Sequence, residues 1–399
     1  MELHYFFTKI KDVKLGDVLS AGKLAAAFAV RPLFAKKYSG AWVVCERPSE
    51  ARDNGYHFFK YVRENHPEKL CYYAIKKNSP DFHKVAHFGN IIEYGSLKHW
   101  LLYLCAEYNI SSQKGGKPNA VLCAFLELMG WIDSKLVFLQ HGVTINDPAW
   151  AHADVTQLKY FICSALPEYE FIKSRFGYRP EQLLLTGFSR FDNLHDARPD
   201  PKLVLIMPTW RHKFSLASVR REGDSFENSI YKTAWEGLLN HPKLAELIDN
   251  YDLKVVFFPH PGMQPFLKNF CVDNAKITVA DWKKYDIQEM MKTASVMITD
   301  YSSVFFDMVY MKKPVIFYQF DYEEFRERDY SEGYFDYRNN DFACSYSSSE
   351  TVIEALKEAV EKKFSVDNTF MEAHAKTFPF YDTNNSRRIF DILSRDMTI

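Results

Sequence analysis

A surplus of charge of either sign is missing from this chain of 399 residues, in which 50 Lys and Arg stand against 51 Asp and Glu for a formal net charge of -1. That balance argues against a general nucleic-acid binder held by bulk electrostatics, so any anion site must be local. Cysteine pairing is missing too. Cys45, Cys71, Cys105, Cys123, Cys163, Cys271 and Cys344 form no C-x-x-C pair, and several sit in apolar stretches as core thiols do, which predicts a reduced, cytosolic protein. No start resembling a signal peptide precedes Lys9, and no uncharged run approaches the roughly 20 residues that cross a bilayer, so no spanning segment is expected. Metal-ligand spacing is absent as well. The H-x-x-x-H pair, His83 and His87, carries Lys84 where a zinc protease needs glutamate, and reads as surface histidines. There is no G-x-x-x-x-G-K-[ST] loop, no G-x-G-x-x-G fingerprint and no G-x-S-x-G elbow, which removes the P-loop, dehydrogenase and hydrolase-fold signatures.

What the chain does have is alternation. Ala41 to Cys45, Cys71 to Ile75, Leu136 to Gln140, Tyr160 to Cys163 and Leu183 to Thr186 are apolar runs separated by helical patterns, the mark of a parallel sheet covered by helices. A polar, proline-bearing stretch, His195 to Lys202, follows. A second series then begins: Leu203 to Met207, Lys254 to Phe258, Lys276 to Val279, Val296 to Ile298 and Val315 to Tyr318. The length suits two domains. The expected fold class is α/β, with two Rossmann-like domains facing across a cleft, one over residues 1–195 and one over 196–399, the last helix packing back on the first. The polar break His212 to Tyr231, with Arg220, Arg221, Glu222 and Gly223, is a candidate mobile loop.

Four motifs fall where strands end, the edge at which open α/β sheets place ligands. Val296 to Ile298 run into Thr299-Asp300-Tyr301-Ser302-Ser303, and a short helical pattern follows. The spacing predicts an N-cap at Tyr301 to Ser303, an inward face of Val304, Met308 and Met311, and a close at Lys312 and Lys313, whose charges suit the helix dipole before Pro314. Free amide hydrogens beside two serine hydroxyls are equipped to receive an anion. Leu139-Gln140-His141-Gly142 puts an imidazole at the first rim. Pro208-Thr209-Trp210-Arg211 and Phe258-Pro259-His260-Pro261-Gly262 put cation-capable groups at the second. Gly187-Phe188-Ser189-Arg190-Phe191-Asp192 ends the first series, where Arg190 and Asp192 would stiffen the hinge as an ion pair or reach the cleft. Near the amino terminus, Lys14 to Lys37 sets Leu19, Leu24, Phe28, Val30, Leu33 and Phe34 among Lys23, Arg31, Lys36 and Lys37. That suits a basic helix on an anionic lipid surface or one packed on the first domain.

Taken together these motifs resemble the CDP-glycerol glycerophosphotransferases that build teichoic acids and related wall or capsule polymers. The likeness is strongest over Thr299 to Asp307, Lys312 to Tyr318 and Asp321 to Glu324. Pro208-Thr209-Trp210-Arg211, Gln140-His141-Gly142 and Gly187 to Asp192 follow in the family's order, so the likeness runs from about Trp42 to Phe325. Two departures are visible: Gln140 stands where the family often has Trp, and His260 sits in Pro-His-Pro-Gly instead of Arg-Met-His. The resemblance implies a two-domain glycosyltransferase-B architecture and transfer without metal or cofactor. It implies a CDP-glycerol or CDP-ribitol donor, a polyprenyl-diphosphate-linked saccharide acceptor, CMP release, no nucleic acid, and work in the cytoplasm against the inner face of the cell membrane. His141 would be the general base and His260 its catalytic partner. Thr299, Ser302, Ser303 and Arg211 would hold the donor phosphates, with Asp307 on the donor's alditol or orienting His260. A nucleotide-sugar glycosyltransferase, a non-catalytic binder of anionic polymer and a nucleotide hydrolase remain as alternatives.

Overall fold

The computed structural model describes residues 15–214, 226–328 and 333–396, so Lys14 and Arg220 to Gly223 of the expected loop lie outside the described residues. β1 (Trp42–Cys45), β2 (Cys71–Ile75), β3 (Ile91–Glu93), β4 (Tyr108–Ser111), β5 (Lys135–Phe138), β6 (Leu158–Cys163) and β7 (Leu183–Leu185) form one sheet in the order β3-β2-β1-β4-β5-β6-β7. β8 (Leu203–Met207), β9 (Lys254–Phe257), β10 (Ile277–Val279), β11 (Val296–Thr299), β12 (Val315–Tyr318) and β13 (Ser345–Tyr346) form the other, in the order β10-β9-β8-β11-β12-β13. Every strand pair is parallel. The fold is α/β with two Rossmann-like units. Strands such as β1, β2, β8 and β11 are buried along their whole length, which is why they read as continuous apolar runs: helices cover both faces.

Three strands were not anticipated from sequence, and β4 matters most. It is central, between β1 and β5, yet it is spelled Tyr-Asn-Ile-Ser. Its polar groups are paired inside the unit: the Asn109 amide donates to Tyr103 O at 2.9 Å and the Tyr108 hydroxyl to Asp396 at 2.7 Å. A buried polar group with a partner does not cost what an orphan would, so the strand tolerates residues that hide it from a hydropathy reading.

The first unit takes the chain to His141, then Ala149–Asp192, then Asp382 onward; the second takes Gly142–Pro148 and Asn193–Tyr381. The short segment Gly142–Pro148 thus departs from the first half of the chain to join the second unit. Backbone closeness explains it: a Cβ on Gly142 would stand 2.7 Å from Ser303 Oγ, and one on Gly333 would stand 1.8 Å from Ile145 O. The terminal helix Asn385–Arg395 belongs to the first unit. Its own N-cap residue makes no side-chain cap, and Asp192 serves instead. One carboxylate oxygen accepts from Asn385 N and Nδ2, both at 2.8 Å, and the other from Ser386 N at 2.9 Å. The expected ion pair within Gly187 to Asp192 is therefore not made: Arg190 bonds Asp53 at 3.1 Å instead. Gly187 has φ +82, and a Cβ there would strike Asn385 Oδ1.

The helix Leu15–Tyr38 bears on two expectations, and of the two readings of the basic segment it takes the one packed on the first unit. Gly16–Tyr38 is long and apolar enough to cross a membrane by length and composition, with a mean hydropathy of 1.4, because Lys23 and Arg31 are its sole charges between Asp17 and Lys36. Both charges also contact the first unit, Lys23 from an exposed position. Lys23 Nζ donates to Gly95 O at 2.9 Å, Arg31 pairs with Asp133, and Asp17 accepts from Asn119 at 2.6 Å. Ala27 and Tyr38 are buried, and Leu24, Phe28, Val30 and Phe34 pack on the first unit's core. Apolar residues are exposed beside the lysines: Val18, Leu19 and Leu33 are 62%, 68% and 79% exposed, and Lys23, Lys36 and Lys37 are exposed too.

Replacing Asp192 with Ala leaves the first amides of the terminal helix without their acceptor. Hydrogen bonds to a charged group carry about 1.5–3 kcal/mol each before the helix frays. Urea unfolding is expected to show a loss of about 2–3 kcal/mol, with Asp192→Asn losing less.

Candidate active site

In the first sheet the order of strands reverses between β1 and β4, and in the second between β8 and β11. The carboxyl ends of these neighbours are where such sheets receive ligands. In the first unit Glu46 follows β1. Its carboxyl group is buried and accepts from the amides of Arg52 (3.0 Å), Asp53 (3.1 Å) and Tyr56 (2.7 Å). Burial, then the charge of Asp53, push it up to about 8. Glu46 so fixes the turn that begins the helix Asn54–Asn65, which Asp53 caps. Asp53 Oδ1 takes Asn54 N at 2.8 Å and Arg190 Nη1 at 3.1 Å, and Oδ2 takes Gln113 Nε2 at 3.2 Å.

Asn54 is fully buried and joins this turn to the one after β5. Its amide donates to Leu139 O at 3.1 Å and Gln140 O at 2.7 Å, while its carbonyl accepts from Arg190 N at 3.1 Å. Gln140 itself has φ +59, a left-handed conformation that costs a non-glycine residue of order 1 kcal/mol or more. It is held there by its own side chain, which donates to Ile162 O at 2.6 Å and Glu168 Oε1 at 2.9 Å. The strain aims the next residue, His141, which keeps an exposed surface. The protein packed around that ring disfavours the imidazolium and lowers its pKa below the ordinary 6.5; Asp53 and a hydrogen bond to the Ser112 backbone oppose the shift, and Arg47 and Arg190 add to it. A neutral imidazole at neutral pH can accept a proton.

In the second unit the structure separates the expected phosphate ligands. Thr299 is buried in β11 and its hydroxyl donates to Met207 O at 2.7 Å. It is part of the sheet and not a ligand. Arg211 is also buried: Nε and Nη2 fork onto Asp321 at 2.9 and 3.1 Å, Nη2 lies 2.8 Å from Asp300, and Nη1 donates to Thr209 O at 3.0 Å. The guanidinium lies about 5 Å from the ring centres of Tyr301, Tyr231 and Phe325. Burial works against its charge, yet the two carboxylates hold its pKa above the ordinary arginine value, while burial raises that of Asp300. Arg211 thus supports the site from beneath and does not reach a phosphate. Asp307 is fully buried and engaged within the protein, so it does not face an alditol at the surface.

Ser302 and Ser303 stay partly exposed, and among the described residues no hydrogen bond occupies either hydroxyl. They do not cap a helix, because the helix is Phe305–Tyr310 with Val304 as its uncapped N-cap. All six helical residues are buried, so the expected one-sided apolar face is an all-round core helix. The serine turn is anchored instead through Asp300, whose Oδ1 accepts from Thr209 N and Tyr301 N, both at 2.8 Å. Tyr301 stacks on Phe325 at 3.7 Å and bonds Asp321 at 3.2 Å. Lys313 does not serve its own helix. Its amine donates to Met291 O, Lys292 O and Ala294 O at 2.6–2.8 Å, closing the helix Ile287–Thr293, and burial lowers it to about 7. His260 follows β9; its Nδ1 accepts from Gly262 N at 3.0 Å, which leaves the neutral ring's proton on Nε2. Its imidazole lies over Trp210, 6.5 Å between centres. Of the seven expected residues, His141 is exposed and His260, Ser302 and Ser303 are partly exposed, whereas Thr299, Arg211 and Asp307 are buried. Glu46, Asp53, Asn54 and Gln113 were missed, although Asp53-Asn54 before a helical pattern is a readable cap signal.

Two Rossmann-like units, each with a histidine at the carboxyl edge of its sheet and one with a serine turn at its switch point, make an α/β protein of the two-unit class. Residues 27–395 match the family described as CDP-Glycerol:Poly(glycerophosphate) glycerophosphotransferase, and the chain belongs to that family. It is 29% identical over 360 residues to the minor teichoic acid biosynthesis protein GgaB of Bacillus subtilis (strain 168), covering 88% of this chain and 39% of that protein. To the teichoic acid poly(glycerol phosphate) polymerase of the same organism it is 26% identical over 364 residues, covering 81% and 43%. The chain so spans about two fifths of the length of these curated relatives. Among solved structures it is similar in fold to the wall teichoic acid polymerase TagF, with a TM-score of 0.65 at 15% identity over 97% of this chain and 99% of that one. A UDP-GlcNAc 2-epimerase from Neisseria meningitidis follows at 0.52 and 12%, over 89% and 100%.

Two measurements test this geometry. Arg211→Ala leaves Asp300 and Asp321 buried together without their cation, and guanidinium unfolding is expected to register a loss of about 3–5 kcal/mol; a change under 1 kcal/mol would contradict the supporting role. By NMR titration, His141 is expected to protonate below pH 6.5. Asp53→Asn removes a negative charge that favours the imidazolium, so its midpoint should move lower still.

Proposed function

We propose that the protein moves glycerol phosphate, or a related alditol phosphate, from a CDP-activated donor to a hydroxyl of a lipid-linked wall or capsule polymer precursor. The acceptor oxygen bonds to the phosphorus that bears the alditol, its proton passes to His141, and the phosphoanhydride bond breaks to release CMP. His260, through Nε2–H, and the hydroxyls of Ser302 and Ser303 hold the donor phosphates, so oriented dipoles stabilise the charge of the transition state. The observation that carries this reading is the imidazole of His141, kept below its ordinary pKa on a strained turn, in a chain of the glycerophosphotransferase family. Support for the lipid-linked acceptor comes from the outward apolar residues of the helix Leu15–Tyr38, which suit shallow insertion at the inner face of the cell membrane.

The central test is CMP release with CDP-glycerol or CDP-ribitol and a synthetic prenyl-diphosphate saccharide. His141→Ala is expected to lose a hundredfold or more in turnover, the range for a general base, with donor binding unchanged. Ser302→Ala with Ser303→Ala should instead weaken donor binding by about 1–3 kcal/mol. An equal fall of donor affinity in both variants would remove His141 from the role of base. Sedimentation with liposomes tests the membrane contact. Since burying one Leu is worth about 1.5–3 kcal/mol, Leu19→Glu with Leu33→Glu should reduce partitioning at least tenfold, while turnover of a detergent-dispersed acceptor persists.

A further inference from the structure

A parallel sheet is covered by the helices of its crossovers, and one crossover of the first unit is incomplete. Between β4 and β5 runs the helix Ala120–Leu128, but between β5 and β6 the covering pieces are two three-residue 3₁₀ segments, Ala149–Ala151 and Ala153–Val155. The sheet face beside them is left with a cavity of about 120 Å³. That is less than the apolar cavity of about 150 Å³ that accepts benzene, so it takes one face of a ring and leaves the rest of the ring at the open side.

The lining has two characters. Its floor is aromatic and aliphatic: Phe138 meets Trp150 edge to face at 5.9 Å and Phe161 at 5.3 Å, with Leu158 and Leu136 beside them. Its rim is polar and exposed, formed by Lys114, Asp154 and Gln157, with the Lys114 ammonium 5.1 Å from the Trp150 ring centre. A hydrocarbon chain would make no use of that rim, and a wholly polar ligand would waste the aromatic floor. A pyranose satisfies both, because its C–H face lies on an aromatic ring while its hydroxyls point to the edge.

The cavity also joins the His141 site through three consecutive residues. Ser111 and Gln113 line it. Ser112, between them, takes the backbone hydrogen bond that acts on His141, and Gln113 donates to Asp53 at 3.2 Å, the carboxylate whose charge acts on the same imidazole. We propose that this cavity is a saccharide subsite that seats one sugar ring of the acceptor, stacked on Trp150, and presents a neighbouring hydroxyl to His141. The proposal rests on the transfer reading above for the name acceptor, but the sugar site stands or falls by its own binding.

The experiment uses the full chain and a panel of methyl glycosides of the common hexoses and N-acetylhexosamines, followed by saturation-transfer NMR, with 1-octanol as competitor and CDP-glycerol thermal shift as control. Wild-type protein is expected to saturate the ring C–H protons of at least one glycoside. Trp150→Ala and the cavity-filling Ala124→Trp should weaken that binding at least tenfold with the CDP-glycerol shift unchanged, and raise the acceptor KM with kcat retained. Gln157→Ala, at the exposed rim, covers the case in which a core variant does not fold, and should change the preference among glycosides. No glycoside bound by wild type, or displacement by octanol alone, overturns the subsite. Normal transfer with unaltered acceptor KM in folded variants overturns it while the transfer reading survives. Glycoside binding lost in Trp150→Ala, in a protein that releases no CMP, would keep the sugar site and remove the transfer reading.

Discussion

The second unit depends on one buried cation. Arg211 sits between Asp321, which it grips with a planar fork, and Asp300, and those two residues flank the turn that carries Ser302 and Ser303. A single guanidinium facing two carboxylates in a dry environment is unforgiving, because removal of the cation leaves like charges that water cannot reach. The rings of Tyr301, Tyr231 and Phe325 around it add attraction of their own and exclude solvent. The serine hydroxyls can therefore stay without internal partners and still be held in place, since the rigidity comes from the layer below them.

The first unit reaches the same end with amides and carboxylates. Glu46 gathers the turn before the helix Asn54–Asn65, Asn54 ties that helix to the carbonyls of Leu139 and Gln140, and Gln140 holds a left-handed backbone with its own buried amide. Strain of this kind persists only where the surroundings over-determine it. The departure at Gln140 from the family's usual Trp is then compatible with the base, because a buried amide bonded to Glu168 can hold the turn as a packed ring would. The raised pKa of Glu46 has a cost for stability: a carboxyl protonated in the folded state up to about pH 8 makes folding less favourable as pH rises from its ordinary 4.5 toward that value.

How much of this was legible differs by residue. The apolar runs at β1, β2, β5 to β9, β11 and β12 are visible because strands buried on both faces admit almost nothing else. β3 and β13 are not, being three and two residues long and not buried throughout, and β4 is not, since Asn109 and Tyr108 satisfy their polar groups on Tyr103 O and Asp396. His141, His260, Ser302 and Ser303 were readable from their place after strands. Arg211, Thr299 and Asp307 occupy equally suggestive places, and sequence position does not say whether a side chain at a strand end turns outward to solvent or inward to a carboxylate.

By itself, then, the sequence determined the class of fold, the strand ends at which candidate residues stand and the family to which the chain belongs, because these follow from local periodicity and short contiguous motifs. Tertiary structure decided what each charge does. Lys23 and Arg31 became contacts to the first unit, Lys313 closed a helix that is not its own, and Asp192 capped a helix almost two hundred residues further on. The physical reason is common to all four: the free energy of a charge is set by the partners and the solvent within a few ångströms of it, and those neighbours are brought together only when the chain has folded.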